Sequence, residues 1–515
     1  MRNKQLRSRT VAVLRLLLTL PLLLALSGGA EGKKGPPPTP WTGPVPQADC
    51  GPNDRVETGL QGQTTLAERM SGASRTAYNC NLEPVGQFTG EGAGWQHAWF
   101  DDCAYYGTTN SLLQQTPGVV VVDVSDPTNP QATAYLNDPA MAEPWESLKV
   151  NEKRRLLAGV QANNGGGFEP GFAIYDVSGD CRHPKLLSSV NVEPPGPTAV
   201  RGHAGDFAPD GQTYYGTGSA TAPRGVYPID ISDPTNPVLL AKWNFADTGW
   251  STHDLSISSW GIPGLLPEDG TRLYAAQTFN ATFLTSNGLV IVDVSEAQNR
   301  VPNPRPKVIG TVFWEDGRAA QMPTQVRIKG RPYILFTDEA GSRGTGGANR
   351  AAACAAGLPP HGFARLIDIS DETNPFVTAK LMLEVHDPAN CPFTVNDTPI
   401  SFGYDAHYCT VDDPKNGKLA ACSYFQSGIR VFDIRDPYRP EEVAYYKPPA
   451  VGSASRPGSN VAERIPFRTA DWASSNSRFV KIKGVNYLWI TSQDNGFQVL
   501  KFTNHLKNLA PGLFE

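Results

Sequence analysis

The run GVVVVDVSDPTNP, residues 118–130, decides the fold. Four consecutive valines suit a strand covered on both faces. The Asp closes the strand, and Asp-Pro-Thr-Asn-Pro sets a tight elbow, because Asp and Asn bond nearby backbone amides while Pro fixes the bend. The unit returns as GFAIYDVSGDCRHP from Gly171, GVYPIDISDPTNP from Gly225, GLVIVDVSEAQN from Gly288, FARLIDISDETNP from Phe363 and GIRVFDIRDPYRP from Gly428. A seventh copy, NGFQVLKF from Asn495, keeps the apolar run but has Lys501 in place of the Asp. A unit recurring in this way marks a repeat architecture.

The markers Asp123, Asp176, Asp230, Asp293, Asp368, Asp433 and Lys501 are 53, 54, 63, 75, 65 and 68 residues apart. That is long for a solenoid turn and right for a four-stranded propeller blade with its loops. Each marker run also has companion strands. In the third unit these are residues 205–208, 213–218 and 238–245, around the marker run 226–231. The seventh unit has no fourth strand after it, and PVGQFTG, residues 84–90, fits that role. The predicted fold is therefore all-β, a seven-bladed β-propeller over residues 82–515, closed by an N-terminal strand so that no sheet edge is left exposed. The GLVIVDVS and GVVVVDVSDPTNP runs resemble the LVIVD-repeat family of exported, mostly bacterial proteins. The resemblance spans residues from about 82 to 504 and implies a propeller but no settled activity. Lys501 and the degenerate elbow Ser295-Glu296-Ala297 depart from the pattern without changing the count.

Composition agrees: 18% of residues are charged, while 50 Gly and 45 Pro suit short strands and turns. Residues 1–30 read as a secretory signal, with Arg2, Lys4, Arg7 and Arg9 ahead of an apolar stretch at 16–26 and small residues Gly28 and Ala30. No later apolar run reaches membrane length, so a soluble, secreted or periplasmic monomer is expected. Residues 31–81 read as a Pro/Gly-rich lead followed by a small segment stapled by Cys50 and Cys80. Without the signal, 40 basic side chains face 50 acidic ones, a formal charge of −10. That disfavours nucleic acid, whose recognition needs a basic surface. Eight cysteines in an exported chain favour disulfides. Cys409 and Cys422 fall in neighbouring strands around a Lys415-Asn416-Gly417 turn, and Cys354 with Cys391 would tie down a long loop.

The elbows offer one or two carboxylates interrupted by prolines, too few for calcium, which takes six to eight oxygens. The histidines carry more chemistry. Aligning the blades puts His97, Glu146, Gly205, His253, Gln325 and His407 at the start of their inner strands, with His203 two residues ahead of Gly205. His361 and His386 fall on the same face. Imidazoles converging from separate strands can hold Zn, Cu or Fe. Propeller dioxygenases that hold iron with four histidines offer a fold-level analogy only. The expected ligands are His97, His203, His253 and His407, with Glu146 as ligand or base and Asp254 and Asp405 orienting rings. The competing reading is that these histidines lock one blade to the next.

The longest departure from the repeat is GSRGTGGANRAAACAAGLPP, residues 341–360. Its glycines suggest a phosphate cradle, but no Lys-Ser/Thr pair ends it and no helix is expected after it. A lid or binding loop held by Cys354 is the alternative to a tolerated insertion, with Arg343 and Arg350 placed to meet an anion. Loops 163–171 and 278–287 would wall the pocket, and Trp95, Trp99, Trp250, Tyr404 and Tyr408 lie near the inner-strand starts. HExxH, GxSxG, Walker and CxxC motifs are absent. Two functions remain. One is a binding module that recognises a small molecule, glycan or protein on the histidine-bearing face. The other is a metal-dependent oxidoreductase or lyase.

Overall fold

A computed structural model describes residues 38–108, 114–162, 171–192, 202–218, 225–244, 250–258, 270–279, 287–397, 402–451, 459, 461 and 471–514. The signal-like residues 1–30 and most of the two loops 163–171 and 278–287 lie outside them, as does the Trp250 side chain. Residues 40–515 form one compact unit.

Within it seven antiparallel sheets follow one another along the chain, each running from an inner strand to an outer one. Their inner strands are His97–Phe100, Lys149–Asn151, Gly205–Phe207, Trp250–Ile257, Arg318–Ile328, Cys409–Val411 and Arg478–Ile482. The seven marker runs are the third strands, for example Val119–Asp123 and Ile429–Asp433. Neighbouring blades cover both faces of these runs, which is why they are apolar at consecutive positions. Leu156, Ala158, Ile174, Tyr214 and Ile229, from blades two and three, share one buried cluster, and each large aliphatic buried this way contributes about 1.5–3 kcal/mol.

Blade seven completes itself with Leu82–Phe88, which pairs with Gly496–Phe502. The strand just before it, Tyr78–Cys80, joins the outer edge of blade six. The chain start thus spans two adjacent blades and closes the ring. The lead also runs along blade five, where Trp41 and Pro44 make parallel bridges to Ala379 and Met382.

The repeat motif now has a physical reading at both ends. Each marker Asp accepts the backbone N–H two residues on, as Asp123 does from Ser125 and Asp433 from Arg435, both at 2.9 Å. The leading glycine lets the outer strand approach. A Cβ on Gly118, at φ +116°, would lie 2.2 Å from the Leu136 carbonyl oxygen, and one on Gly428, at φ +77°, 2.3 Å from that of Tyr446.

Four disulfides staple this ring: Cys50–Cys80, Cys103–Cys181, Cys354–Cys391 and Cys409–Cys422. Such a set suits an oxidising, extracellular or periplasmic compartment. No helix among the described residues is long and apolar enough to cross a membrane.

Candidate metal centre at the mouth of the channel

Five blades, the second to the sixth, bring side chains to one end of the channel, and two of them do so through irregular strands. In blade four the register shifts between Thr252 and Leu255, so His253 and Asp254 bulge out of the ladder. In blade five it shifts between Ala320 and Pro323, around Gln321. Bulges re-aim side chains and are over-represented beside functional sites. Glu146, just ahead of the blade-two inner strand, is pinned to blade three when its N–H donates to the His203 carbonyl at 3.1 Å. His407 donates from Nδ1 to the carbonyl of Ser474, which fixes its tautomer and turns Nε2 toward the channel.

The result is a ring of imidazoles around one buried carboxylate. His203 Nε2 lies 3.1 Å from Glu146 Oε2, and His253 Nδ1 lies 3.7 Å from the same oxygen. His407 Nε2 is 3.1 Å from Glu146 Oε1. The ligand atoms of Glu146, His203 and His253 all lie within 4.8 Å of one another. The His203 and His253 rings meet edge to face at 4.3 Å. His203 Nε2 and His253 Nδ1 thus both face the Glu146 carboxylate. Gln321 donates from its amide to Glu146 Oε2 and to His407 Nε2, both at 3.0 Å.

Glu339, near the end of the second strand of blade five, completes the set. Its carboxyl oxygens lie 3.7 Å from His253 Nε2 and 3.5 Å from His407 Nε2. The electrostatics separate the two glutamates. Burial pushes the Glu146 carboxyl up, but His203 and His253 more than offset it and hold it well below the usual range. Burial, then the charge of Glu146, pushes Glu339 well above it. Burial drives the His253 ring down to about 3.

Deeper along the channel, Tyr408 donates to Asp254 at 3.1 Å, with the Lys149 ammonium 5.9 Å from the Tyr408 ring. Burial raises Asp254 to about 7, against the nearby charge of Lys149. On the outer side stand aromatic rings: Trp95 lies 5.5 Å from His407, Trp145 lies 5.9 Å from His203, and the two indoles are 5.4 Å apart.

Several sequence expectations come out differently. His97 does not join the ring: its Nδ1 donates to the Asn476 carbonyl at 3.0 Å, and its ring packs against Trp99, Tyr106 and Phe497 in the seam with blade seven. Trp99 belongs to that seam too, under the Arg478 guanidinium at 5.8 Å. Gln325 is not the blade-five equivalent, because the inner strand begins at Arg318 and its bulge presents Gln321 instead. Asp254 and Asp405 orient no ring of the centre. Asp405 takes Arg350 at 3.1 Å and the Gly362 N–H at 2.6 Å. Arg350 is therefore buried inside the insertion and does not face a ligand, whereas Arg343 is exposed. The insertion carries a helix, Gly347–Ala355, that the sequence reading did not expect. Cys354 ties it to Cys391. His361 and His386 pack against each other at 6.3 Å, in a pair separate from the ring. Glu339 and Gln321 are the residues that sequence reasoning missed; the Asp-Glu pair ending an otherwise apolar strand, YILFTDEA, was the one signal for Glu339.

Seven such sheets around a channel define a β-propeller, and comparison with known proteins refines the class. A family model of the LVIVD repeat matches residues 114–136, 226–244 and 284–299. The chain therefore carries LVIVD repeats on a seven-bladed β-propeller. No curated protein matches it in sequence. Among solved structures it is similar to the β-propeller domain of Myceliophteria thermophila Cps50 (Swd1), at 11% identity and a TM-score of 0.45, covering 82% of this chain and 99% of that one. It is also similar to Kuenenia stuttgartiensis hydrazine synthase, at 11% identity and 0.43, covering 87% and 98%. The periplasmic gluconolactonase PpgL of Pseudomonas aeruginosa follows at 12% and 0.41, covering 76% and 92%. Likenesses this distant carry no argument about activity.

Proposed function

We propose that the protein is a metal-dependent enzyme, an oxidoreductase or lyase, whose centre is held by Glu146, His203 and His253 at the mouth of the propeller channel. The observation that carries the reading is the convergence of three ligand atoms within 4.8 Å, two of them ring nitrogens turned toward the Glu146 carboxylate. A histidine that locks one blade to the next turns a ring nitrogen to a backbone carbonyl, as His97 does from Nδ1. Two imidazoles and one carboxylate are a donor set that Zn or Fe accepts with positions left for water or substrate. A bound ion there would polarise an oxygen or acidify a water. His407, Gln321 and Glu339 would surround it, with Gln321 orienting the Glu146 carboxylate.

Elemental analysis of untagged protein, purified without chelator, tests the proposal. One equivalent of Fe, Cu or Zn is expected, lost in a His203→Ala, His253→Ala variant that still shows the wild-type thermal transition. Metal-free protein that takes up none on dialysis against each ion would overturn it. One observation favours a second reading, that of a binding module. The Gln321 amide already serves both Glu146 and His407, as a metal-free polar knot would require.

A further inference from the structure

We propose that the centre takes two divalent ions, the second held by His407 Nε2, Glu146 Oε1 and Glu339 Oε2, with the Glu146 carboxylate bridging the pair. The proposal rests on the reading of Glu146, His203 and His253 as ligands of the first ion and adds a second site beside it.

Glu146 divides its oxygens between two sets of partners. Its Oε2 faces His203 Nε2 at 3.1 Å and His253 Nδ1 at 3.7 Å, whereas its Oε1 faces His407 Nε2 at 3.1 Å. The first ion needs only Oε2. Glu339 Oε2 lies 3.5 Å from the same His407 nitrogen, so carboxylate oxygens from two glutamates stand around one ring atom. Metal bonds to nitrogen and oxygen run about 2.0–2.2 Å, which puts ligand atoms sharing one ion about 2.8–3.6 Å apart at octahedral to tetrahedral angles. Both separations at His407 Nε2 fall in that span. That nitrogen carries a lone pair, because the ring proton sits on Nδ1 and is donated to the Ser474 carbonyl.

Charge points the same way. The Glu146 and Glu339 side chains are only 3% and 14% exposed. Among the described residues their ion-pair partners are imidazoles alone, with no Lys or Arg against either carboxylate. Buried carboxylates call for a paired cation or a metal.

Gln321 supplies an independent observation. Its side chain is fully buried, and its nitrogen donates to Glu146 Oε2 and His407 Nε2, yet its Oε1 has no hydrogen-bond partner. A half-turn of the amide exchanges the two atoms. It releases the His407 lone pair and brings a carbonyl oxygen to the same point, where a cation satisfies an acceptor that is otherwise left unmade. The second set is then one imidazole and three oxygens, which suits Mn or Fe better than Cu. Because Gln321 must turn first, the second ion binds more weakly than the first.

Equilibrium dialysis of chelator-stripped protein against Co2+, read by elemental analysis, tests the second site. Wild-type protein is expected to take two equivalents, the second at least tenfold more weakly. Glu339→Gln should weaken the second ion at least tenfold and leave the first within twofold. His407→Ala should do the same, so that misfolding of one variant leaves the outcome readable. One equivalent that Glu339→Gln leaves in place would overturn the second site and keep the first, with a proton on Glu339 doing the work of the ion. One equivalent lost in Glu339→Gln but kept in His203→Ala would put a single ion at His407 and overturn both the pair and the first reading. A second equivalent that survives Glu339→Gln and His407→Ala lies elsewhere and overturns the assignment; no uptake at all overturns both sites.

Discussion

His407 turns Nε2 to within 3.1 Å of Glu146 Oε1 while its Nδ1–H is spent on the Ser474 carbonyl. In the neutral ring this sets a bare nitrogen lone pair against a buried carboxylate, an arrangement that is unfavourable unless a cation or a donor stands between them. Gln321 supplies one donor to each side. The arrangement makes Gln321 the residue that holds the Glu146 carboxylate in place.

Removing that support is expected to weaken metal binding without removing a ligand. Gln321→Ala should raise the metal dissociation constant about 10- to 100-fold, the usual cost of losing an outer-shell partner. Gln325→Ala, four residues further along the same strand, should leave it unchanged. Competition with a fluorescent chelator measures both, and equal effects from the two substitutions would show that the bulge does not single out Gln321.

His97 makes the opposite prediction. Its bond to the Asn476 carbonyl lies in a blade seam, so His97→Leu should leave metal content at the wild-type level. It should also lower stability by about 1–3 kcal/mol, because a buried carbonyl loses its donor. Denaturant midpoints alongside elemental analysis decide the matter; loss of metal in this variant would return His97 to the centre.

Much of this architecture could be read before any coordinates, and the reasons are physical. The marker runs advertise burial on both faces, Gly118 and Gly428 stand where an outer strand crowds the backbone, and each marker Asp closes its own turn. These are local demands, repeated six times, so sequence carries them. The centre depends on irregularity. Gln321 reaches the channel through a bulge that shifts the register of one strand, and a repeat alignment, which assumes constant register, lands on Gln325. Glu339 comes from a second strand, where an alignment of inner-strand starts does not look. His97 occupies the aligned position, yet its ring turns into the seam between Trp99, Tyr106 and Phe497. Position along the strand was legible; the direction of the side chain was not.

The disulfides should differ in worth according to the loops they close. Cys103–Cys181 joins residues 78 apart, in adjacent blades, whereas Cys409–Cys422 spans 13 within one blade. Loop-closure entropy gives about 4.5 kcal/mol for the first and about 3 kcal/mol for the second. Paired Cys→Ser variants compared by chemical denaturation should therefore rank Cys103–Cys181 as the costlier loss. The reverse order would mean that packing around Cys409 and Cys422 outweighs the chain-entropy term.

Acid should unfold the protein through histidines that the fold keeps neutral. His386 accepts the Leu383 N–H at its Nδ1, at 2.8 Å, and donates from Nε2 to the Tyr404 carbonyl at 2.9 Å. A second ring proton would remove the acceptor, and burial, reinforced by the neighbouring His361, drives the His386 ring down to about 3. Burial does the same to His97. A base whose folded value is depressed adds stability above its unfolded value near 6.5, and that stability fades as pH falls toward the folded value, because only the unfolded chain takes up the proton. Stability should thus decline between about pH 6.5 and pH 3, each such histidine adding up to about 1.4 kcal/mol per pH unit to the slope. His386→Gln, whose amide offers one acceptor and one donor without titrating, should flatten the slope by about one proton's worth. Thermal or urea unfolding from pH 7 to 4 measures the slope, and an unchanged slope in the variant would place the acid sensitivity elsewhere.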